Sequence, residues 1–217
     1  MNNIETKFYN AFIVNDRWML YVKGLGVTLE IALFAGIIGI IIGCIVALMK
    51  LSEPKKGRKH TLWWYLATAY VDVIRGTPAV LQLLIMWFIV FSTSKNGVLV
   101  ASLSFGINSG AYVSEIIRAG ILAVDKGQTM WEIVLPQAFK NVLPPIGNEF
   151  ITLIKETAIV GYVSLSDLTR AASQISSRTY EAFMPLIGAA VIYFILIKIL
   201  TLLLEALERR MRRSDLR

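Results

Sequence analysis

Long apolar runs alternate with short polar connections along this chain, and the first run is the clearest. Ile31 to Met49 passes 19 residues without a charge, about 28 Å as a helix, which matches the hydrocarbon core of a bilayer. It is entered through Gly26-Val27-Thr28-Leu29-Glu30, so a first span is predicted over about 26–49. Similar runs predict a second span over about 79–93, a third over about 98–117 and a fifth over about 184–204, the last broken only by Lys198. A fourth, about 143–163, is polar enough to escape a hydropathy average. Ahead of the second run, Thr61 to Ile74 is apolar and aromatic, contains Asp72 and stops at Arg75-Gly76-Thr77-Pro78. It is too short to cross alone and reads as an interfacial or partly inserted helix, with Trp63, Trp64 and Tyr65 at headgroup level. The expectation is an all-α polytopic membrane protein, one transmembrane domain over 1–217 with five spans.

Composition agrees with the pattern. Of 217 residues 56% are hydrophobic and only 17% charged, with a mean hydropathy of +0.62, whereas a soluble domain carries about 25% charge. A water-soluble enzyme and a disordered or fibrous chain are excluded. The net charge of +7 does not mark a nucleic-acid surface, because the basic residues sit at the ends of apolar runs. Lys50, Lys55, Lys56, Arg58 and Lys59 form one group, and Arg209, Arg210, Arg212, Arg213 and Arg217 the other. By the positive-inside rule both groups are cytoplasmic. An even number of crossings must then separate them, which puts the N-terminus outside, the C-terminus inside and the 118–142 connection in the cytoplasm. Met1 to Gly24 holds Glu5, Lys7, Asp16, Arg17 and Lys23 and has no signal-peptide pattern, so the first span is expected to act as its own insertion signal.

Candidate chemistry lies in polar stripes within the spans. Ser104, Asn108, Tyr112 and Glu115 fall on one face of the third span, and Glu115 can pair with Arg118 one turn later. On the fourth, Asn148, Thr152 and Lys155 share one face, and Glu149, Thr152 and Glu156 another. A charge at mid-bilayer costs about 3 kcal/mol even on insertion scales, so these groups belong inside a bundle or beside a water-filled path. A structural ion-pair network is an even alternative for Lys155 and Glu156. Asn108, Tyr112, Thr152 and Glu149 are the candidate substrate contacts, the Glu149 carboxylate suiting an ammonium, guanidinium or amide donor.

Other features read as structural. Cys44 lies in an apolar run and reads as a small core residue, and His60 belongs to the basic loop. Gly36, Gly39 and Gly43 with Gly106 and Gly110 make small-residue faces that suit close helix packing within the bundle more than a dimer contact. With one His and one Cys, neither well placed, no catalytic residue or metal site is expected. No phosphate-binding glycine–lysine loop occurs.

Several motifs stand in order: Gly24-Leu25-Gly26-Val27-Thr28-Leu29, Arg75-Gly76-Thr77-Pro78, Asn108-Ser109-Gly110-Ala111-Tyr112-Val113-Ser114-Glu115 followed by Ile116-Ile117-Arg118-Ala119-Gly120-Ile121, Lys126-Gly127-Gln128, Leu135-Pro136-Gln137-Ala138 and Leu153-Ile154-Lys155-Glu156-Thr157. Over nearly its whole length the chain resembles the transmembrane permease subunit of ABC importers for polar amino acids. The resemblance implies a type I importer permease fold in a bacterial cell membrane and a second permease, identical or paralogous, around a central pathway. It also implies two cytoplasmic ATPase subunits that bind ATP and Mg, an external substrate-binding protein, and no cofactor in this chain. Glutamine, arginine, histidine and glutamate remain open as cargo. The family couples to its ATPase through the loop between the third and fourth spans, which points here to Asp125, Lys126, Gly127, Gln128, Leu135 and Pro136. That loop departs from the family pattern. Gly127-Gln128 runs through Thr129-Met130-Trp131-Glu132-Ile133-Val134 straight to Leu135-Pro136, without the Glu-Ala-Ala segment and its Gly, so that about a dozen residues are missing. An uncoupled or partial permease, or a standalone carrier, is the alternative reading.

Overall fold

The computed structural model describes residues 4–51, 60–124 and 135–214. Among them the chain is helical with no strand. A short helix α1 (Ile4–Phe8) and two irregular turns lead into α2 (Trp18–Leu51), followed by α3 (Leu62–Gly76), α4 (Ala79–Ile85, continued by a π-turn Met86–Val90), α5 (Gly97–Leu122), α6 (Leu135–Glu156, continued by a 3-10 segment Thr157–Val163), α7 (Leu168–Thr179) and α8 (Phe183–Ser214).

Helix boundaries follow local chemistry. Thr61 caps α3 by accepting the Trp64 N–H at 3.3 Å, and Asn96 caps α5 by accepting the Leu99 N–H at 3.0 Å. Asp167 caps α7, its carboxylate accepting the Thr169 and Arg170 N–H groups at 2.9 and 3.0 Å. Pro78 ends α3, because the residue before a proline is pushed out of the helical region; Thr77 is extended, with φ −122° and ψ 145°.

At the centre, α5 packs along α2 with both backbones close. A Cβ on Gly43 would meet Val113 at 2.5 Å, one on Gly106 would meet Ile38 at 2.5 Å, and one on Gly39 would meet Ser109 at 3.0 Å. The glycines therefore serve packing inside the bundle, as their spacing implied. Around this pair lies a core of Ile31, Ala35, Phe105, Leu153, Ile154 and Val160. Val46, Ala67, Val71 and Ala111 join α3 to the pair, and Tyr21, Leu168, Ile175 and Ala189 join α7 and α8 to the start of α2.

Among the described residues, three helices are long and apolar enough to cross a membrane: Trp18–Leu51, Gly97–Leu122 and Phe183–Met211. The expected second span over 79–93 needs correction. Its helix runs Ala79–Val90, about 18 Å, too short to cross by itself. It passes the test only together with Leu62–Gly76, from which it turns by 106°. Gly76-Thr77-Pro78 makes that break, so the interfacial helix and the second span are two arms of one bent pair. The fourth element starts at Leu135, not near 143, and carries Pro144 and Pro145 inside it; neighbouring helices make such interruptions tolerable in a bundle. Cys44 is exposed and not in the core, because the buried face of α2 at that level is held by Gly43, Val46 and Ala47.

Candidate translocation site

The polar stripe of α5 is present, and its members Asn108, Tyr112 and Glu115 meet α4, α3 and α2 in turn. Asn108, 4% exposed, donates from Nδ2 to Oε1 of Gln82 on α4 at 3.0 Å. One residue on, the Ser109 hydroxyl donates to Oε1 of Glu149 on α6 at 2.9 Å. Tyr112 lies under the Arg75 guanidinium, 5.2 Å from ring centroid to Cζ, a cation–π contact. Glu115 pairs with Arg118 at 3.0 Å, as its spacing implied, and also with Lys50 from the end of α2 at 2.5 Å. Thr152 turns its hydroxyl back to the Asn148 carbonyl at 3.1 Å.

Three of the four expected substrate contacts are thus divided between two places, and Thr152 lies in neither. Asn108 and Tyr112 face the α3–α4 break, whereas Glu149 faces a cavity of about 300 Å³ between α2, α5, α6 and α8. That cavity is lined by apolar side chains such as Leu33, Ile37, Val113, Phe150 and Leu204, with Glu149 and Ser109 its polar members. A half-buried carboxylate with one hydroxyl donor retains capacity for further donors. The second cavity, about 260 Å³, lies against the break and is lined by Ile74, Thr77, Gln82, Ile85, Ser104 and Ile107 among others.

Gln82 is the residue that the sequence reading missed. Its Nε2 donates to the Ile74 carbonyl at 2.8 Å, the Thr77 carbonyl at 3.2 Å and the Thr77 hydroxyl at 2.8 Å, while its Oε1 accepts from Asn108. The available signal was a lone carboxamide within the apolar run Ala79–Val90. A second missed group is the buried Asp167 with Tyr193, whose hydroxyl lies 3.4 Å from the carboxylate, and Thr28, which accepts the Leu168 N–H at 3.3 Å. Together these tie α2, α7 and α8, and Gly24 leaves the room for it: a Cβ there would meet the Asp167 carbonyl at 2.7 Å.

Of the expected ATPase-coupling residues, Asp125, Lys126, Gly127 and Gln128 lie outside the described residues, and Leu135 and Pro136 open α6.

Comparison with known proteins places this architecture. The profile of the binding-protein-dependent transport system inner membrane component family matches residues 39–213. The arginine transport system permease protein ArtQ of Bacillus subtilis is 43% identical over 211 residues, covering 89% of this chain and 93% of that protein. The putative glutamine transport system permease protein GlnP of Rickettsia felis is 36% identical, with the same coverage. Both alignments are longer than the share of this chain that they use, so each relative has residues without a counterpart here. Among solved structures, an amino acid ABC transporter crystallised with histidines superposes with a TM-score of 0.79 at 41% identity, over 88% of this chain and 94% of that one. The MetNI methionine ABC transporter, at 18% identity and a TM-score of 0.77, shares the fold. The chain is a multi-pass membrane permease belonging to the family of binding-protein-dependent transport system inner membrane components.

Proposed function

We propose that this chain forms the membrane pathway of an ATP-driven importer for polar amino acids, with arginine and glutamine the foremost candidates. Relatives named for those two cargoes support the class. The observation that carries the reading is a half-buried carboxylate, Glu149, set beside a cavity of about 300 Å³ that is otherwise apolar apart from Ser109. Such a group favours a cargo that brings its own N–H donors, each charge-assisted bond contributing about 1.5–3 kcal/mol. Asn108, Tyr112 and Thr152 are assigned to the same route, Asn108 and Tyr112 at the α3–α4 break and Thr152 on the face of α6 next to Glu149. The chain crosses the membrane five times, N-terminus outside and C-terminus inside. It pairs with a second permease, takes cargo from an external binding protein and relies on two cytoplasmic ATPase subunits for ATP and Mg. Residues 125–128 with Leu135 and Pro136 form the ATPase contact, and that contact is short.

The test is binding of labelled L-arginine and L-glutamine to the purified permease assembly. Glu149→Gln should weaken arginine at least ten-fold and glutamine less than three-fold; equal or unchanged binding of both would remove Glu149 from the pathway. The shortened cytoplasmic segment favours a second reading, an assembled permease that does not couple. Absence of cargo-stimulated ATP hydrolysis when the assembly is mixed with its ATPase, with binding retained, would select it.

A further inference from the structure

The break between α3 and α4 poses a question of hydrogen bonding. A helix leaves its last carbonyls without partners, and inside a membrane these must be satisfied by protein or by a water-lined cavity. Here the end of α3 falls within a bent pair that only together has the length and apolarity of a span. The Ile74 and Thr77 carbonyls and the Thr77 hydroxyl converge on a single donor, the Gln82 carboxamide. One –NH2 group serves three acceptors. It has two hydrogens, and the Thr77 hydroxyl commits its own to the Val73 carbonyl at 2.8 Å, so the cluster is rich in acceptors and short of donors. The negative end of the α3 dipole adds to this polarity. Thr77 is exposed, and the cavity of about 260 Å³ brings open space to both Thr77 and Gln82. Behind them, the other end of the carboxamide is held by the buried Asn108.

We propose that the break is a donor-reading subsite of the pathway, in which Gln82 stands in for cargo. An ammonium, guanidinium or amide N–H group arriving through the cavity takes over the Ile74 and Thr77 acceptors, and the displaced Gln82 turns its carboxamide with Asn108 to the rest of the cargo. The subsite selects for cargo by its donors and rests on the amino acid reading above.

The experiment measures the ratio of L-arginine to L-glutamine affinity in the purified permease assembly. Gln82→Glu keeps the oxygen that accepts from Asn108 and removes the donor to the α3 carbonyls, so the subsite gains a negative charge and demands a cation. The ratio should rise at least ten-fold. Thr77→Val keeps the backbone, removes at an exposed position the hydroxyl that accepts from Gln82 and donates to the Val73 carbonyl, and should lower the ratio about three-fold. If Gln82 only holds the bend, Gln82→Glu shifts both affinities alike. An unchanged ratio in both variants, with cargo bound by the unsubstituted assembly, overturns the subsite alone. Binding of neither amino acid by the unsubstituted assembly overturns the cargo reading and the subsite with it. Should Gln82→Glu fail to assemble, the Thr77→Val ratio decides.

Discussion

Among individual residues, Glu115 shows most clearly how charges survive in this bundle. It is held from two directions, by Lys50 at 2.5 Å across helices and by Arg118 at 3.0 Å one turn away. The Lys50 side chain is only 12% exposed, so the pair is poorly screened and its loss leaves a partly buried carboxylate with a single partner. Lys50→Met should destabilise the permease by about 2–3 kcal/mol, within the range for bonds to charged groups. Adding Glu115→Gln should recover part of that loss, because the uncompensated charge is what costs most. Unfolding in mixed detergent micelles through the four members of the double-mutant cycle checks this; additive losses would mean that the pair contributes nothing of its own. The exposed Arg209–Glu205 pair, 3.8 Å apart on the last helix, lacks the burial that makes the Lys50 contact matter.

At the level of elements, the α2–α5 seam and the α3–α4 break do different work. The seam depends on glycine at positions where backbones approach. Gly43→Ala puts a methyl 2.5 Å from Val113 and 3.1 Å from the Ser114 nitrogen, so it should cost about 1–3 kcal/mol through overpacking. Gly26 lies in the same helix with nothing within 4 Å of a new Cβ, and Gly26→Ala should be neutral or stabilise by up to about 1 kcal/mol. A thermal melt of the two variants separates them; equal effects would mean that the seam is looser than its geometry. Much of this scale was legible in the sequence. Uncharged runs marked α2 and α8, four-residue spacing marked the stripe of α5, and Glu115 with Arg118 declared an ion pair. The rest depends on tertiary partners that periodicity does not carry. Asn108 and Ser109 are neighbours in sequence, and only packing decides that one meets α4 and the other α6. Gln82 reads as an ordinary polar interruption until the Gly76-Thr77-Pro78 break folds the α3 carbonyls onto it. The fourth span was expected from about 143, whereas α6 already starts at Leu135 and carries Pro144 and Pro145 inside it.

For the whole molecule, the distribution of exposed side chains argues for an assembly, and the proposed orientation is open to labelling. With the N-terminus outside, Asn10→Cys in a Cys44→Ala background should react with an impermeant maleimide on intact cells, and Arg210→Cys only after permeabilisation; both reacting on intact cells would overturn the orientation. The faces of the bundle differ in kind. The outer side of α8 presents Phe194, Ile195 and Leu203, and that of α2 presents Ile41, Ile45 and Leu48, all suited to acyl chains. Along α3, the break and α6, by contrast, Asp72, Arg75, Thr77, Asn148 and Lys155 are exposed. A charged group facing lipid costs about 2.5–3.5 kcal/mol near mid-bilayer even on insertion scales, so several on one molecule need a covering surface or water. In the pairing proposed above, a second permease across an aqueous path would supply both and would close the cavity at the break, lined by Thr77 and Gln82, from its open side. The exposed polar side chains of α3, the break and α6 then face that path, with Asn108 and Tyr112 of α5 behind them. In the cysteine-free background, Asp72→Cys or Asn148→Cys should therefore give a covalent dimer with a short bifunctional maleimide in native membranes, and Phe194→Cys or Leu203→Cys should not. Dimers formed through 194 or 203, with none through 72 or 148, would turn the molecule around and leave the polar face to a different partner.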